Sequence, residues 1–138
     1  MATADHLAKL KNAYRQWHET KGQSDQVWLD LMADDIKIRS LASGAKPVEF
    51  TQKMSAKAQM HEYFAGLRRD WEMEYFNADS FITDGDRVAV QCMTSWLFKK
   101  TGKRFESPKA DFWTFKDGKA IAFYEYYDTA SLIGATQP

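Results

Sequence analysis

Apolar positions in the first half of the chain recur every three or four residues; in the second half they recur every two. Leu7, Leu10, Tyr14 and Trp17 share one face of a helix predicted over 4–19, with Lys9, Lys11, Arg15 and Glu19 mostly elsewhere. Gly22 ends that segment. Ser24 caps a second helix whose buried stripe is Val27, Trp28, Leu31 and Met32. In Ile36-Lys37-Ile38-Arg39 the period switches to two, which predicts a short strand. Residues 42–54 are polar, carry Gly44 and Pro47, and read mainly as a loop. Met60, Phe64, Leu67 and Trp71 restore helical spacing over about 56–70.

The rest is strand-like. Four segments are predicted, over about 72–83, 87–99, 104–116 and 119–128, with Pro108 marking an edge or bulge. The turns Asp84-Gly85-Asp86, Lys100-Thr101-Gly102-Lys103 and Lys116-Asp117-Gly118-Lys119 separate them. Helices first and strands last is the α+β pattern. The expectation is one domain, 1–138, with N-terminal helices packed on a strongly curved antiparallel sheet.

Its strands are apolar on both faces. Val88, Val90, Cys92, Trp96 and Phe98 face one way, and Ala89, Met93 and Leu97 the other. Helices cover one face. The other stays exposed unless a second copy covers it, so a homodimer through the outer face of the sheet is expected.

Composition narrows the possible functions. Nineteen basic and nineteen acidic side chains cancel in 138 residues, so neither nucleic acid nor an anionic membrane attracts the chain as a whole. No signal-like or membrane-spanning apolar run is present. A single cysteine, Cys92, allows no internal disulfide and fits a cytoplasmic location. Five Trp, six Tyr and nine Phe exceed what a small core needs, and aromatics also line pockets and anchor interfaces.

The segments NAYRQW, LMADDIKI, TDGDRVAVQ, KKTGKRFESPKADFWTFKDGKA and FYEYYDTASL follow one another along nearly the whole chain. In them the sequence resembles the SnoaL-like and ketosteroid-isomerase-like branch of the nuclear transport factor 2-like superfamily. The resemblance implies a cone-shaped α+β barrel whose curved sheet wraps a helix, with a pocket at the wide end. It also implies pairing through the outer sheet face. It does not select an activity, since such relatives include isomerases, cyclases, dehydratases, epoxide hydrolases and non-catalytic modules.

Asp111 is the most informative polar residue. Strand alternation puts it on one face with Trp113 and Phe115, where an ionised carboxylate is costly unless paired. Burial favours a neutral acid that donates a hydrogen bond. In the isomerase-like pattern Asp111 matches the protonated acid of an oxyanion hole and Tyr14 its partner. Alternatively, Asp111 bonds Tyr14 or a backbone group and only organises the interior. At the position of the isomerase base the chain has Ser40, which is no base near neutral pH. Glu125 and Asp128 on the last strand are the candidate replacements. The resemblance matches Asp128 to a cyclase acid/base, while local sequence makes it the N-cap of a final short helix.

A three-residue turn at Lys116-Asp117-Gly118 points Phe123, Glu125 and Tyr127 inward, and this assignment is favoured. A two-residue Asp117-Gly118 turn points Tyr124, Tyr126 and Asp128 there instead. The expected pocket lining is Trp17, Ser40, Met60, Phe64, Trp96, Trp113, Phe115, Phe123 and Tyr127. His18 lies near the pocket mouth. His6, His18, His61 and Cys92 show no metal-ligand spacing, and no organic cofactor is implied.

Two functions remain open. One is a cofactor-independent acid/base enzyme (isomerase, cyclase, hydratase or dehydratase) acting on a small hydrophobic ketone or polyketide-like molecule. The other is a non-catalytic dimeric binding or association module. A cavity of a few hundred Å³ reaching Tyr14 and Asp111 favours the first; a closed interior there excludes it.

Overall fold

The computed structural model describes residues 2–138, with side chains from residue 5 onward. The order is α1 (Ala2–Glu19), α2 (Asp25–Leu31), β1 (Met32–Ser40), two 3-10 turns (Glu49–Thr51 and Lys57–Gln59) and α3 (Met60–Asp70). Then follow β2 (Trp71–Asp84), β3 (Arg87–Phe98), β4 (Arg104–Lys116), β5 (Lys119–Tyr127) and α4 (Thr129–Thr136).

Of the apolar stripe of α1, Leu10, Tyr14 and Trp17 are buried, with Ala13 beside them, and Leu7 is partly buried. Together with Trp28 of α2 and Phe64 of α3 it packs against the inward residues of the sheet in one core. The inward set of β3 is Val88, Val90, Cys92, Trp96 and Phe98, all buried. Thr94 is buried with them, its hydroxyl bonded to the Tyr75 carbonyl at 3.0 Å. The opposite face leaves Ile82, Phe112 and Tyr126 exposed at 62%, 49% and 42%.

The sheet has the order β1-β5-β4-β3-β2. Three of its pairings are antiparallel hairpins, but β1 runs parallel to β5. The sheet is therefore mixed, not wholly antiparallel, and β1 and β2 are edges, so the cone stays open. Periodicity carries no information on direction, and no hairpin joins β1 to β5 to dictate it. β2 and β3 slip register between Met73 and Tyr75 and again between Ala78 and Ser80. Such bulges bend the strand and supply curvature.

Several boundaries differ from expectation. β1 begins at Met32, which the helical pattern had assigned to α2. Pro108 lies on an interior strand, paired with Met93. It is tolerated because the β5 pairing starts only at Lys109, so no ladder bond is lost there.

The Lys116–Lys119 turn has two central residues, Asp117 and Gly118, both at positive φ (51° and 79°). This is the hairpin geometry that matches strand twist. The premise of a three-residue turn was therefore wrong. Phe123, Glu125 and Tyr127 nevertheless share the face of Asp111, because a bulge between Thr114 and Phe115 skips Ile121 and restores the inward parity.

Candidate functional site

β4 and β5 build the centre of the site. Asp111 pairs with Glu125 across them, and both are buried. Alternation along β4 places Lys109 on the same face as Asp111. Its ammonium lies between the two carboxylates, against Asp111 Oδ1 and 3.0 Å from Glu125 Oε1. The rings of Phe76 and Phe123 flank it at 5.4 and 5.5 Å.

A tyrosine closes each end of the cluster. Tyr14 on α1 donates to Asp111 Oδ2 at 2.6 Å and accepts from Trp113 Nε1 at 2.9 Å. Tyr63 on α3 donates to Glu125, with Oε1 and Oε2 at 3.1 and 2.9 Å. The result is a continuous buried chain, Tyr14–Asp111–Lys109–Glu125–Tyr63.

Two carboxylates against one ammonium leave a surplus negative charge in an apolar interior, which is costly. Burial pushes the Asp111 carboxyl above its usual range, against the pull of Lys109 and Tyr14. Burial alone would lower the Lys109 ammonium, but Asp111 and Glu125 outweigh it and hold the group above an ordinary lysine. Tyr14 and Tyr63 are raised well above a free phenol by burial and then by the carboxylate each faces. Burial thus favours a proton on Asp111 over its usual behaviour, with the Lys109 ammonium retained.

That proton has a structural consequence. With Asp111 ionised, Tyr14 spends its O–H on the carboxylate. With Asp111 protonated, the acid donates to the Tyr14 oxygen, and the phenol O–H is free to turn towards another acceptor.

The cluster opens onto a cavity of about 100 Å³ lined by Tyr14, Tyr63, Lys109, Asp111 and Glu125 among aromatic side chains. The cavity reaches both Tyr14 and Asp111 as the acid/base hypothesis requires. It is smaller than the typical 300–1,000 Å³ of ligand sites. It falls short of the few hundred Å³ expected and has room for a few waters or a small molecule.

Of the expected lining, Trp17, Met60, Phe64, Trp96, Trp113, Phe123 and Tyr127 are present. Ser40 and Phe115 are not. Ser40 pairs in register with Glu125, but its hydroxyl is bound to that of Tyr127. Phe115 is buried one turn of the hairpin away, stacked on His6 at 4.2 Å. Asp128 also lies outside the cavity. It caps α4, accepting from the Ser131 N–H at 3.0 Å and the Ser131 hydroxyl at 2.8 Å. Those donors hold its carboxyl below the usual range. His18 is tied to β2, its Nδ1 accepting from the Phe76 N–H at 3.1 Å.

Sequence reasoning missed Lys109 and Tyr63. Lys109 was legible in principle, since it shares the parity of Asp111 two residues on, but a lone lysine on a strand is normally solvated. Tyr63 sits beside the Met60–Phe64–Leu67 stripe and carried no signal of its own. Burial also raises the Cys92 thiol, which is not a nucleophile in this setting. Among the described residues, no three His, Cys, Asp or Glu side chains are grouped to hold a metal ion. No helix among them is long and apolar enough to cross a membrane.

The sequence model of the SnoaL-like domain family matches residues 12–123. No curated protein matches this chain. Among solved structures, a nuclear transport factor 2-like protein from Burkholderia thailandensis superposes with a TM-score of 0.79 at 23% identity, covering 99% of this chain and 95% of that one. A putative SnoaL-like polyketide cyclase from Jannaschia sp. CCS1 gives 0.78 at 14% identity, over 99% of this chain and 95% of that one. A putative isomerase from Bacillus subtilis gives 0.76 at 13% identity, over 95% and 94%. At these identities the likeness concerns the fold.

Proposed function

This chain belongs to the SnoaL-like domain family, and from that premise we propose that it is a cofactor-independent acid/base enzyme for a small, largely apolar ketone or related carbonyl compound. The observation that carries this reading is the buried Tyr14–Asp111–Lys109–Glu125–Tyr63 chain opening on an aromatic-lined cavity. A structural core has no need of three ionisable groups, and apolar residues of the same volume are often at least as stable.

In this reading Tyr14, backed by protonated Asp111, donates to the carbonyl oxygen and stabilises the developing enolate. Glu125 takes or returns the carbon-bound proton. Lys109 holds both carboxyls in place. Proton transfer of this kind serves isomerisation, aldol closure, or addition and loss of water. The isomerase and cyclase names among the structural neighbours agree with that range.

The test is a binding titration with substituted phenols of graded acidity, which imitate an enolate, read by tryptophan fluorescence. Affinity is expected to rise with acidity. Asp111→Asn and Tyr14→Phe should each weaken the acidic phenols about tenfold. Binding indifferent to both substitutions would refute the reading.

A second copy paired through Ile82, Phe112 and Tyr126 completes the proposal. Three exposed large apolar side chains on one sheet face support it.

A further inference from the structure

The wall of the cavity is thinnest on one side. Of the side chains that line it, Phe50, Tyr63 and Tyr127 are only partly buried, and Lys109 keeps 10% of its side chain exposed. A side chain that touches both the cavity and solvent marks the way in. Three of these four are tied down. Tyr63 donates to Glu125, and Lys109 binds both carboxylates. The Tyr127 hydroxyl is bonded to that of Ser40 and accepts from the Ala42 N–H at 3.2 Å. Phe50 has no polar group to tie. Its ring meets that of Tyr63 edge to face, with centroids 5.3 Å apart.

Phe50 is the middle residue of the 3-10 turn Glu49–Thr51, which follows the buried Val48 and ends on the buried Thr51. The Thr51 hydroxyl donates to the Val48 carbonyl at 2.6 Å and accepts from the Gly44 N–H at 2.9 Å, which fixes the backbone of the turn. The ring is therefore the movable part. Its seat is on α3. An ideal Cβ placed on Gly66 would lie 2.8 Å from Phe50 Cβ and 3.3 Å from its Cγ, closer than carbon atoms pack. Glycine weakens a helix interior, so its place within α3 calls for a reason, and the close approach of Phe50 supplies it. With the ring seated, the cavity is about 100 Å³. A cavity of about 150 Å³ takes one benzene ring. The seated Phe50 thus leaves room for at most one small ring and none for a fused pair.

We propose that Phe50 is the gate and size filter of the ligand site: its ring turns aside to admit a ligand and closes again only over one small ring or a chain of comparable size. This rests on the reading of the cavity as a ligand site and narrows its substrate class to monocyclic or acyclic carbonyl compounds. A fused polycycle holds Phe50 off Gly66, leaves the ring in water and forfeits that contact. Larger apolar ligands ordinarily bind more tightly because they bury more surface, so selection for the smaller one is the mark of the gate.

The experiment titrates benzene and naphthalene into the wild type, Phe50→Ala and Gly66→Ala, following the indole ¹H–¹⁵N resonances of the five tryptophans, all of which line the cavity. Neither ligand carries an oxygen, so Tyr14, Asp111 and Glu125 have nothing to bond. In the wild type benzene should bind about tenfold more tightly than naphthalene or better, against the trend of surface. Phe50→Ala removes the ring, and Gly66→Ala keeps the ring but takes away its seat. In both variants the affinity for naphthalene relative to benzene should rise about tenfold or more. Alanine favours a helix, so Gly66→Ala and the wild-type preference give the answer even where Phe50→Ala does not fold.

Naphthalene binding to the wild type as tightly as benzene would overturn the gate. So would a ratio that is the same in all three proteins, which puts the size limit on another wall, or failure of both ligands to bind any of them. The acid/base reading is judged separately by the phenol series, which varies acidity on a single ring.

Discussion

Asp111 and Glu125 are direct cross-strand partners on the buried face of the β4–β5 pair. Two acids in that relationship repel each other, and like charges opposite one another destabilise a sheet. Lys109, two residues before Asp111 on the same face, makes the pair tenable by binding both. Tyr14 and Tyr63 then satisfy the outer oxygens. The site is therefore one electrostatic unit, and its members are not independent in mutation.

Lys109→Met keeps the stem that packs against Phe76 and Phe123 but leaves two buried carboxyls without a counter-charge. Urea unfolding at neutral pH should show a loss of about 3–5 kcal/mol. The sign of the pH dependence is diagnostic. In the variant Asp111, already raised by burial, loses the Lys109 charge that pulls it down, so the folded state binds more protons as pH falls. Stability should then rise between neutrality and about pH 5. A variant equally unstable at both pH values would mean that the two carboxyls are not interacting through Lys109.

Tyr14→Phe removes the donor to Asp111 and the acceptor of the Trp113 N–H. A loss of about 1–3 kcal/mol is expected in denaturant titration. The double variant Tyr14→Phe/Asp111→Asn should lose less than the sum of the single losses, since both act on the same bond.

Alkaline unfolding should be steep. Burial and the facing carboxylates raise Tyr14 and Tyr63, and burial and then Glu125 push Tyr127 up to about 12. Lys109 is held above an ordinary lysine. All four lose their protons more readily when unfolded, so their contribution is complete below about pH 10 and fades as pH rises beyond it. Circular dichroism melts between pH 8 and 11 test this. A melting temperature that stays flat across that interval would contradict it.

Asp128→Ala should cost stability but leave the phenol titration unchanged, because Asp128 caps α4 and does not line the cavity. Loss of such a cap lowers the melting temperature by roughly 3–5 °C. The depressed pKa of Asp128 means that its contribution is present above the unfolded value and is lost as pH falls through the folded one, below about pH 4. Impaired phenol binding in Asp128→Ala would return this residue to the site.

Phe112→Glu tests the outer sheet face. Light scattering at micromolar concentration should give twice the chain mass for the wild type and the chain mass for the variant. A monomeric wild type would remove the case for pairing.

Local chemistry alone determined most of the elements. Three- and four-residue spacing produced α1, α2 and α3, and two-residue spacing with Gly-containing turns produced β2 to β5, because each pattern needs only a residue and its near neighbours to be buried or bent. The same parity placed Asp111 inside with Trp113, and resemblance brought Tyr14 to it. Direction, bulges and long-range electrostatics were settled only in the folded chain. The parallel β1–β5 pairing joins strands separated by most of the sequence. The inward side of β5 depended on one bulge at Ile121, which no turn signal announces. The meaning of Lys109 arose only when Glu125, sixteen residues on, was brought against the same ammonium. A charge reads as solvated until its partners are in place, and those partners come from β5, α1 and α3, which only tertiary packing assembles.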